Sequence, residues 1–393
     1  MYSLISFVVV LVLSALPGRS FWIITHSPLV SQRLDPILAP NGTSSHTHAF
    51  VGSAAILSSQ DKNALCTTSG VKADKSNYWA PQLYYYHAKN STFSSVPLSY
   101  VNTYYLNRGG PKMGANGKLT AFPKGLKMIA GNNTAMDSPD PDPTKALAVS
   151  YVCLNYKDGS NTTKTLPTGP CPQGLRTQIV FPSCWNGKDL DSADHQSHMS
   201  YPIDGVADSG DCPTSHPVKL MTLFYEFVYA TGNLKRSSSG KSRFVLANGD
   251  AVGYAMHADF VSAWDVTVLQ KAVDQCTGNL FGDLKSCPPF VPTLNTTSSC
   301  KTKESVKEKV LGSLKSLPGC VPIKNGPSKG AIAKNCTVPT LSVVAQQGGP
   351  DDATFPNRRN VLEEHVPHAQ RRLDLAESAV RRSRHREIAA AVL

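Results

Sequence analysis

From residue 21 to about residue 290, short apolar or aromatic runs alternate with breaks rich in Gly, Pro, Asn and Ser. The runs at 49–57, 81–87, 96–106, 126–130, 147–154, 177–181, 218–229 and 243–247 are dense in Val, Ile, Tyr, Phe and Thr. Those residues fit a pleated, half-buried surface, and the turn-formers between the runs space them as short strands. Helical periodicity is scarce. Residues 264–276 place Val268, Leu269, Ala272 and Val273 on one face, and residues 303–317 do the same for Val306, Val310, Leu311 and Leu314. The expected fold is therefore mainly β: an antiparallel, jelly-roll-like β-sandwich with long disulfide-stapled loops and a few short helices.

The ends of the chain read differently. Residues 4–16 form an uncharged apolar stretch of about 13 residues, within the roughly 7–15 of a secretory h-region and too short to span a bilayer. Small residues at Gly18 and Ser20 suit cleavage before Phe21. The sequence thus divides into a signal peptide (1–20), a main β domain (21–290), a disulfide-stapled extension (291–344) and a basic tail (345–393) expected to be disordered or marginally helical. Dibasic pairs at Arg358-Arg359, Arg371-Arg372 and Arg381-Arg382 mark that tail for trimming or anion binding.

Ten cysteines, none in a CxxC pair, predict five disulfides in an oxidising compartment and argue against a zinc ribbon. Cys153–Cys171 and Cys276–Cys287 are the expected local pairs, and Cys300, Cys320 and Cys336 are expected to staple the extension to the body. Glycan acceptors at Asn41, Asn90, Asn132, Asn161, Asn295 and Asn335 fit the same secreted, extracellular route. The net charge of +11 lies mostly in the body: the tail carries eight Arg against seven acids, and Arg19 leaves with the signal, so 11 − 1 − 1 leaves +9 on residues 21–344. A basic secreted domain meets acidic polysaccharides before nucleic acid. No later apolar run is long enough for a membrane span, and a monomer is expected.

Three polar clusters carry the candidate chemistry. Ser44-Ser45-His46-Thr47-His48 puts two imidazoles on one face at strand spacing, a presentation that suits a pair of metal ligands. The segment from Cys184 to His198 packs Trp185, Asn186, Lys188, Asp191, His195 and His198 into one cysteine-anchored loop followed by Tyr201. There an Asp can orient an imidazole through its second nitrogen, and Tyr201 is a candidate proton donor. Asn248, Asp250, Tyr254, His257 and Asp259 form the third cluster, just before Trp264, and Tyr225-Glu226 adds a carboxylate on a strand. Each cluster also has a structural reading, as hydrogen-bonded core histidines or a solvated loop. GxSxG, Walker A, dinucleotide-fingerprint and HExxH motifs are absent.

Several segments recur in order in one known family: Phe21-Trp22, Arg33-Leu34-Asp35-Pro36-Ile37, Ser45-His46-Thr47-His48, Lys75-Ser76-Asn77-Tyr78-Trp79-Ala80-Pro81, Phe122-Pro123-Lys124-Gly125, Phe181-Pro182-Ser183-Cys184-Trp185-Asn186-Gly187-Lys188 and Asn248-Gly249-Asp250. Over residues 21–290 the chain resembles the secreted, mainly fungal family catalogued as domain of unknown function nineteen ninety-six. Members of that family often carry wall-binding or cellulose-binding modules, so the resemblance implies work at polysaccharide surfaces, though no particular reaction. Val51-Gly52-Ser53-Ala54 departs from the Gly-Gly-Ser-Asn usual in the family after the histidines.

The function expected from all this is a secreted carbohydrate-active enzyme on cell-wall or plant polysaccharide, cleaving by elimination or hydrolysis, with or without a divalent metal ion. His46, His48, Asp191, His195, His198, Tyr201, His257 and Asp259 are the catalytic candidates. Arg33, Asp35, Trp185, Asn186, Lys188, Tyr225, Asn248, Asp250, Tyr254 and Trp264 are the substrate-binding ones. His46, His48, His195 and His198 are the expected metal ligands. The rival is a non-catalytic wall protein that binds polysaccharide or metal, which needs aromatic platforms and polar anchors but no proton-transfer group.

Overall fold

The computed structural model describes residues 21–56, 66–108, 118–203, 206–234, 243–277, 282–296, 300–332, 336, 338 and 348–350. The expected signal peptide lies outside these residues, as does the expected tail apart from Gly348–Pro350, which pairs with Cys300–Thr302. Two antiparallel sheets dominate. One has six strands, in the order Phe21–His26, Leu98–Leu106, Thr222–Tyr229, Leu175–Val180, Val149–Cys153 and Asn161–Thr163. The other has five: Val30–Gln32, His48–Gly52, Asn77–Pro81, His257–Val261 and Lys127–Gly131.

The period-two pattern explains why they pack together. Trp22 and Ile24 are buried while their neighbours Phe21, Ile23 and Thr25 are half-exposed. Trp22, Ile24, Tyr105 and Tyr225 from the first sheet share one core with Val51, Tyr78, Met128 and Phe260 from the second. The sheets thus face each other as the layers of a sandwich. Their buried hydroxyls find partners across the gap: Tyr78 Oη lies 2.7 Å from Tyr105 Oη, which accepts from Trp264 Nε1 at 2.8 Å. A smaller sheet pairs Arg243–Leu246, Leu83–His87, Thr92–Ser95 and Ser313–Leu314.

The fold is mainly β and antiparallel, as the runs predict, and the helix expected at 264–276 forms as Val266–Gln275 with Asp265 as N-cap. The run 147–154 divides into the end of a short helix, Pro143–Ala148, and the strand Val149–Cys153. The amphipathic helix expected over 303–317 does not form. Its apolar residues go to different places: Val306 joins Phe50 and Trp79, Leu314 joins Tyr84 and Phe93, and Leu311 faces solvent. Ser313–Leu314 pairs as a strand with Thr92–Ser95, and Tyr84 Oη donates to the Val310 carbonyl at 2.9 Å. Tertiary partners on two sides override a helical stripe.

Five disulfides form, among them Cys153–Cys171, Cys276–Cys287 and Cys184–Cys212. Cys66–Cys300 joins extension to body, whereas Cys320–Cys336 closes within the extension. Among the described residues no helix is long and apolar enough to cross a membrane.

Candidate functional site

The site begins with an alternation in the five-stranded sheet. Ala49, Val51, Tyr78, Ala80, Ala258 and Phe260 point into the core, so His48, Phe50, Trp79, His257 and Asp259 take the opposite face. In register, Gln32, His48 and Pro81 follow one another across the sheet, and His257 pairs with Gly131. This outer face is not solvated. Leu34, Ile37 and Val306 pack over Phe50, Trp79 and Ile129.

His46 arrives from the loop before the strand, and three imidazoles meet. His257 Nε2 lies 3.1 Å from His46 Nε2 and 3.4 Å from His48 Nε2, and one ring nitrogen of each residue lies within 4.8 Å of those of the other two. The rings are 5 %, 0 % and 1 % exposed for His46, His48 and His257. Each Nδ1 is fastened elsewhere: His48 to the Leu34 carbonyl at 2.7 Å, His257 to the Ala255 carbonyl at 3.1 Å, and His46 beside Ser45 Oγ at 3.0 Å. A carbonyl only accepts, so in His48 and His257 the ring proton sits on Nδ1 and the Nε2 lone pair faces inward. Burial holds all three rings neutral, pushing His48 and His257 down to about 4 and His46 well below its usual value, with neighbouring imidazoles adding to the effect on His46 and His257.

The inward lone pairs of His48 and His257 call for something positive between them, a proton on His46 Nε2 or a metal ion. With Zn–N bonds of about 2.0–2.1 Å, tetrahedral ligand atoms sit roughly 3.3 Å apart, close to the two short separations here. A backbone carbonyl on the distal nitrogen is the usual way to orient a metal-ligating histidine.

The third polar cluster is the scaffold of this geometry. Asp250 accepts from the backbone N–H of Val252, Gly253 and Ala255 and from Asn325 Nδ2, while Asn248 Nδ2 donates to the same Ala255 carbonyl that orients His257. Asp250 and Asn248 therefore position a histidine. Asp35 turns its loop by accepting from Ile37 and Leu38, and burial raises its pKa against the pull of those two bonds and of His257 and His195. Asp259, on the histidine face, is raised well above the carboxylate range by burial and by Asp35. Its two oxygens, Trp79 Nε1, Gln32 Nε2 and Arg33 Nη2 make no hydrogen bond among the described residues. A concentration of orphaned buried polar atoms marks a place where water or an ion completes the network.

Residues 35–264 match the family described as Domain of unknown function (DUF1996), more than half of the chain. The chain belongs to this family. No curated protein and no solved structure matches it.

In this DUF1996 protein the 184–198 loop borders the same sheet face, because its anchors lie on the strand Lys127–Gly131. Lys127 donates Nζ to Asp191 at 2.8 Å, and its carbonyl accepts from His198 Nε2 at 2.7 Å. His198 also meets Ser192 Oγ through Nδ1. Both ring nitrogens are thus engaged, so His46 and His48 are joined by His257, not by His195 and His198. His195 differs. Its Nδ1 lies 2.7 Å from Asp191, its ring is partly exposed and its backbone is left-handed at φ 56°. His is among the few non-glycine residues enriched there, and such conformations gather at functional sites. Lys127 and His195 outweigh burial and lower the Asp191 pKa, so this carboxylate stays charged beside the imidazole.

Other candidates are placed apart. Tyr225 and Trp264 sit in the central core, fully buried, with Tyr225 Oη donating to the Asp259 carbonyl. Trp185 Nε1 donates to Asp189, and Asn186 accepts from the N–H groups of Lys188 and Asp189, so these residues shape the loop while Lys188 stays exposed. Tyr201 Oη donates to Val180, and Tyr254 is half-buried. The extension also supplies site residues that the sequence did not signal. Glu308 binds Arg33 Nε at 2.5 Å, Arg33 Nη1 donates to the Ser44 carbonyl, and exposed Lys324 acts electrostatically on His46. Two Glu in a Lys-rich run have no spacing that points to a histidine loop about 260 residues earlier.

Proposed function

We propose that this protein is a secreted metalloenzyme that holds one divalent transition-metal ion on His46, His48 and His257 and acts on extracellular polysaccharide. One observation carries the metal: three Nε2 atoms converge while each Nδ1 is fastened outside the cluster. Three neutral imidazoles suit zinc or copper. An ion bound there supplies Lewis acidity toward an oxygen ligand. The chain's own proton-transfer group is His195, oriented by Asp191 through Nδ1, which leaves Nε2 to take or give a proton. The polysaccharide rests on the family's association with wall-binding modules and on the basic body.

The near-complete burial of the three rings favours a second reading, a wall protein whose ion is structural. Turnover separates the two. Elemental mass spectrometry of the secreted chain should find one metal ion per molecule, lost in the His46→Ala, His48→Ala double variant. A well-folded wild type without metal overturns the centre. Cleavage of a polysaccharide panel that disappears in His195→Ala with metal retained supports the enzyme, and absence of cleavage across the panel supports the binder.

A further inference from the structure

A cleft of about 190 Å³ lies between the helix Pro143–Ala148, the strand Lys127–Gly131 and residues 196–202. It is lined by Ile129 and Gly131, the cross-strand partners of Asp259 and His257. The cleft therefore lies one strand from the histidine centre, and Gln196 on its rim directly follows His195. Its walls are of two kinds. Ile129, Met199, Pro182 and Pro202 are apolar. Among the polar lining residues, Lys145 Nζ meets Gln196 Oε1 at 3.4 Å, a long contact that leaves donor capacity for a ligand. The Asp142 carboxylate is already used to cap the helix at Thr144 and Lys145.

We infer that this cleft is a saccharide subsite that seats one hexopyranose unit. A cleft lined by both apolar and hydrogen-bonding groups matches a sugar ring, whose C–H face is apolar and whose rim is hydroxylated; small-ligand sites generally combine the two. The space equals about six water volumes at roughly 30 Å³ each, enough for a single ring. Lys145 and Gln196 hold the hydroxyl rim. The inference rests on the polysaccharide reading above but not on the metal.

The test is calorimetric titration of the full secreted protein with short β-glucan, chitin and polygalacturonate oligosaccharides, with metal content measured in parallel. At least one of these should bind, and Lys145→Ala and Gln196→Ala should each weaken it about tenfold while leaving the melting temperature and metal content unchanged. His48→Ala should lose metal yet keep saccharide binding. Unchanged affinity in the Lys145→Ala, Gln196→Ala double variant overturns the subsite, as does failure of every oligosaccharide to bind the wild type. A metal-free wild type that still binds sugar through Lys145 would sink the metal centre and leave the subsite standing.

Discussion

Glu308→Gln removes one charge from a pair that links the extension to the histidine loop. Arg33 and Glu308 are 4 % and 10 % exposed, so water cannot replace the lost partner. Arg33 Nη2 already lacks a hydrogen bond, and Nη1 is held by the Ser44 carbonyl, so the guanidinium has nowhere else to turn. Breaking a buried pair from one side costs about 3–5 kcal/mol, because it strands the other charge. Gln keeps a carbonyl oxygen for the Gly319 N–H that Glu308 now binds, so the substitution isolates the charge. Glu308→Ala also drops that bond and should cost about 1 kcal/mol more. Against a typical total of about 5–15 kcal/mol, the loss is large. Urea unfolding should show a lower midpoint at unchanged slope. Because Arg33 restrains the loop that delivers His46, metal affinity should also fall, by about 10–100-fold as for other lost supports of metal ligands. A stability loss below about 1 kcal/mol, the range of exposed ion pairs, would refute the claim that this pair is desolvated in solution.

Other outcomes follow from single features. Gly131 has φ 79°, and a Cβ there would lie 2.3 Å from the Met256 carbonyl and 3.0 Å from His257 Cα. Gly131→Ala should therefore destabilise the chain and weaken metal binding, and a melting temperature within a degree of wild type would contradict the packing. His48 titrates at about 4 when folded and near 6.5 unfolded. The unfolded chain thus takes the proton first, so this contribution is intact above pH 6.5 and falls by roughly 1.4 kcal/mol per unit toward pH 4, about 3 kcal/mol in all. Asp35 and Asp259, raised rather than lowered, act in the opposite sense. Comparing metal-free wild type with His48→Asn isolates the histidine, and equal pH slopes in the two would refute its burial as a neutral ring. Asn295 Nδ2 donates to the Thr67 and Ser69 carbonyls at 3.2 and 3.0 Å, whereas Asn161 is exposed. Glycopeptide mapping should find Asn161 occupied and Asn295 bare; a glycan on Asn295, which leaves Nδ2 a single N–H, would mean these two hydrogen bonds do not both form.

The fold class was legible because strand pattern is local: alternation within Phe21–His26 and turn-formers between runs need no distant information. The helix at 266–275 was legible for the same reason, with Asp265 capping a single apolar face. Residues 303–317 carry an equally good stripe, yet Val306 and Leu314 are claimed by two different clusters, and no periodicity encodes that competition. In the site, the HxH spacing correctly put His46 and His48 side by side. The third partner turned on sheet order. His257 reaches His48 across the intervening strand Asn77–Pro81, whose own pairing with the His257 strand joins residues far apart in sequence. His195 and His198, expected as ligands beside His46 and His48, lie instead on the loop anchored at Lys127.

The family span and the site do not coincide. Residues 35–264 contain His46, His48 and His257 with Asp35, Asn248 and Asp250, so the proposed ligands and the carbonyl that aims His257 are all inside it. Arg33 falls just before it, and Glu308, Lys324 and Asn325 fall after it. Yet Glu308 holds Arg33, Asn325 holds Asp250, and Ser305 and Val306 donate their N–H groups to Gln32, the cross-strand neighbour of His48. The Cys66–Cys300 bridge, 234 residues apart in sequence, fixes where this cover begins. Closing so long a loop before folding is worth about 5 kcal/mol in the chain-entropy treatment. A chain cut after residue 264 would keep every ligand but expose Trp79 and Phe50, leave the Arg33 charge unpaired and loosen Asp250. The three histidines would then titrate near their ordinary value, and protons would compete with metal at neutral pH. The cover thus belongs to the proposed centre in a thermodynamic sense: it excludes the water that would otherwise stabilise the imidazolium forms, and so keeps the lone pairs of His48 and His257 facing inward.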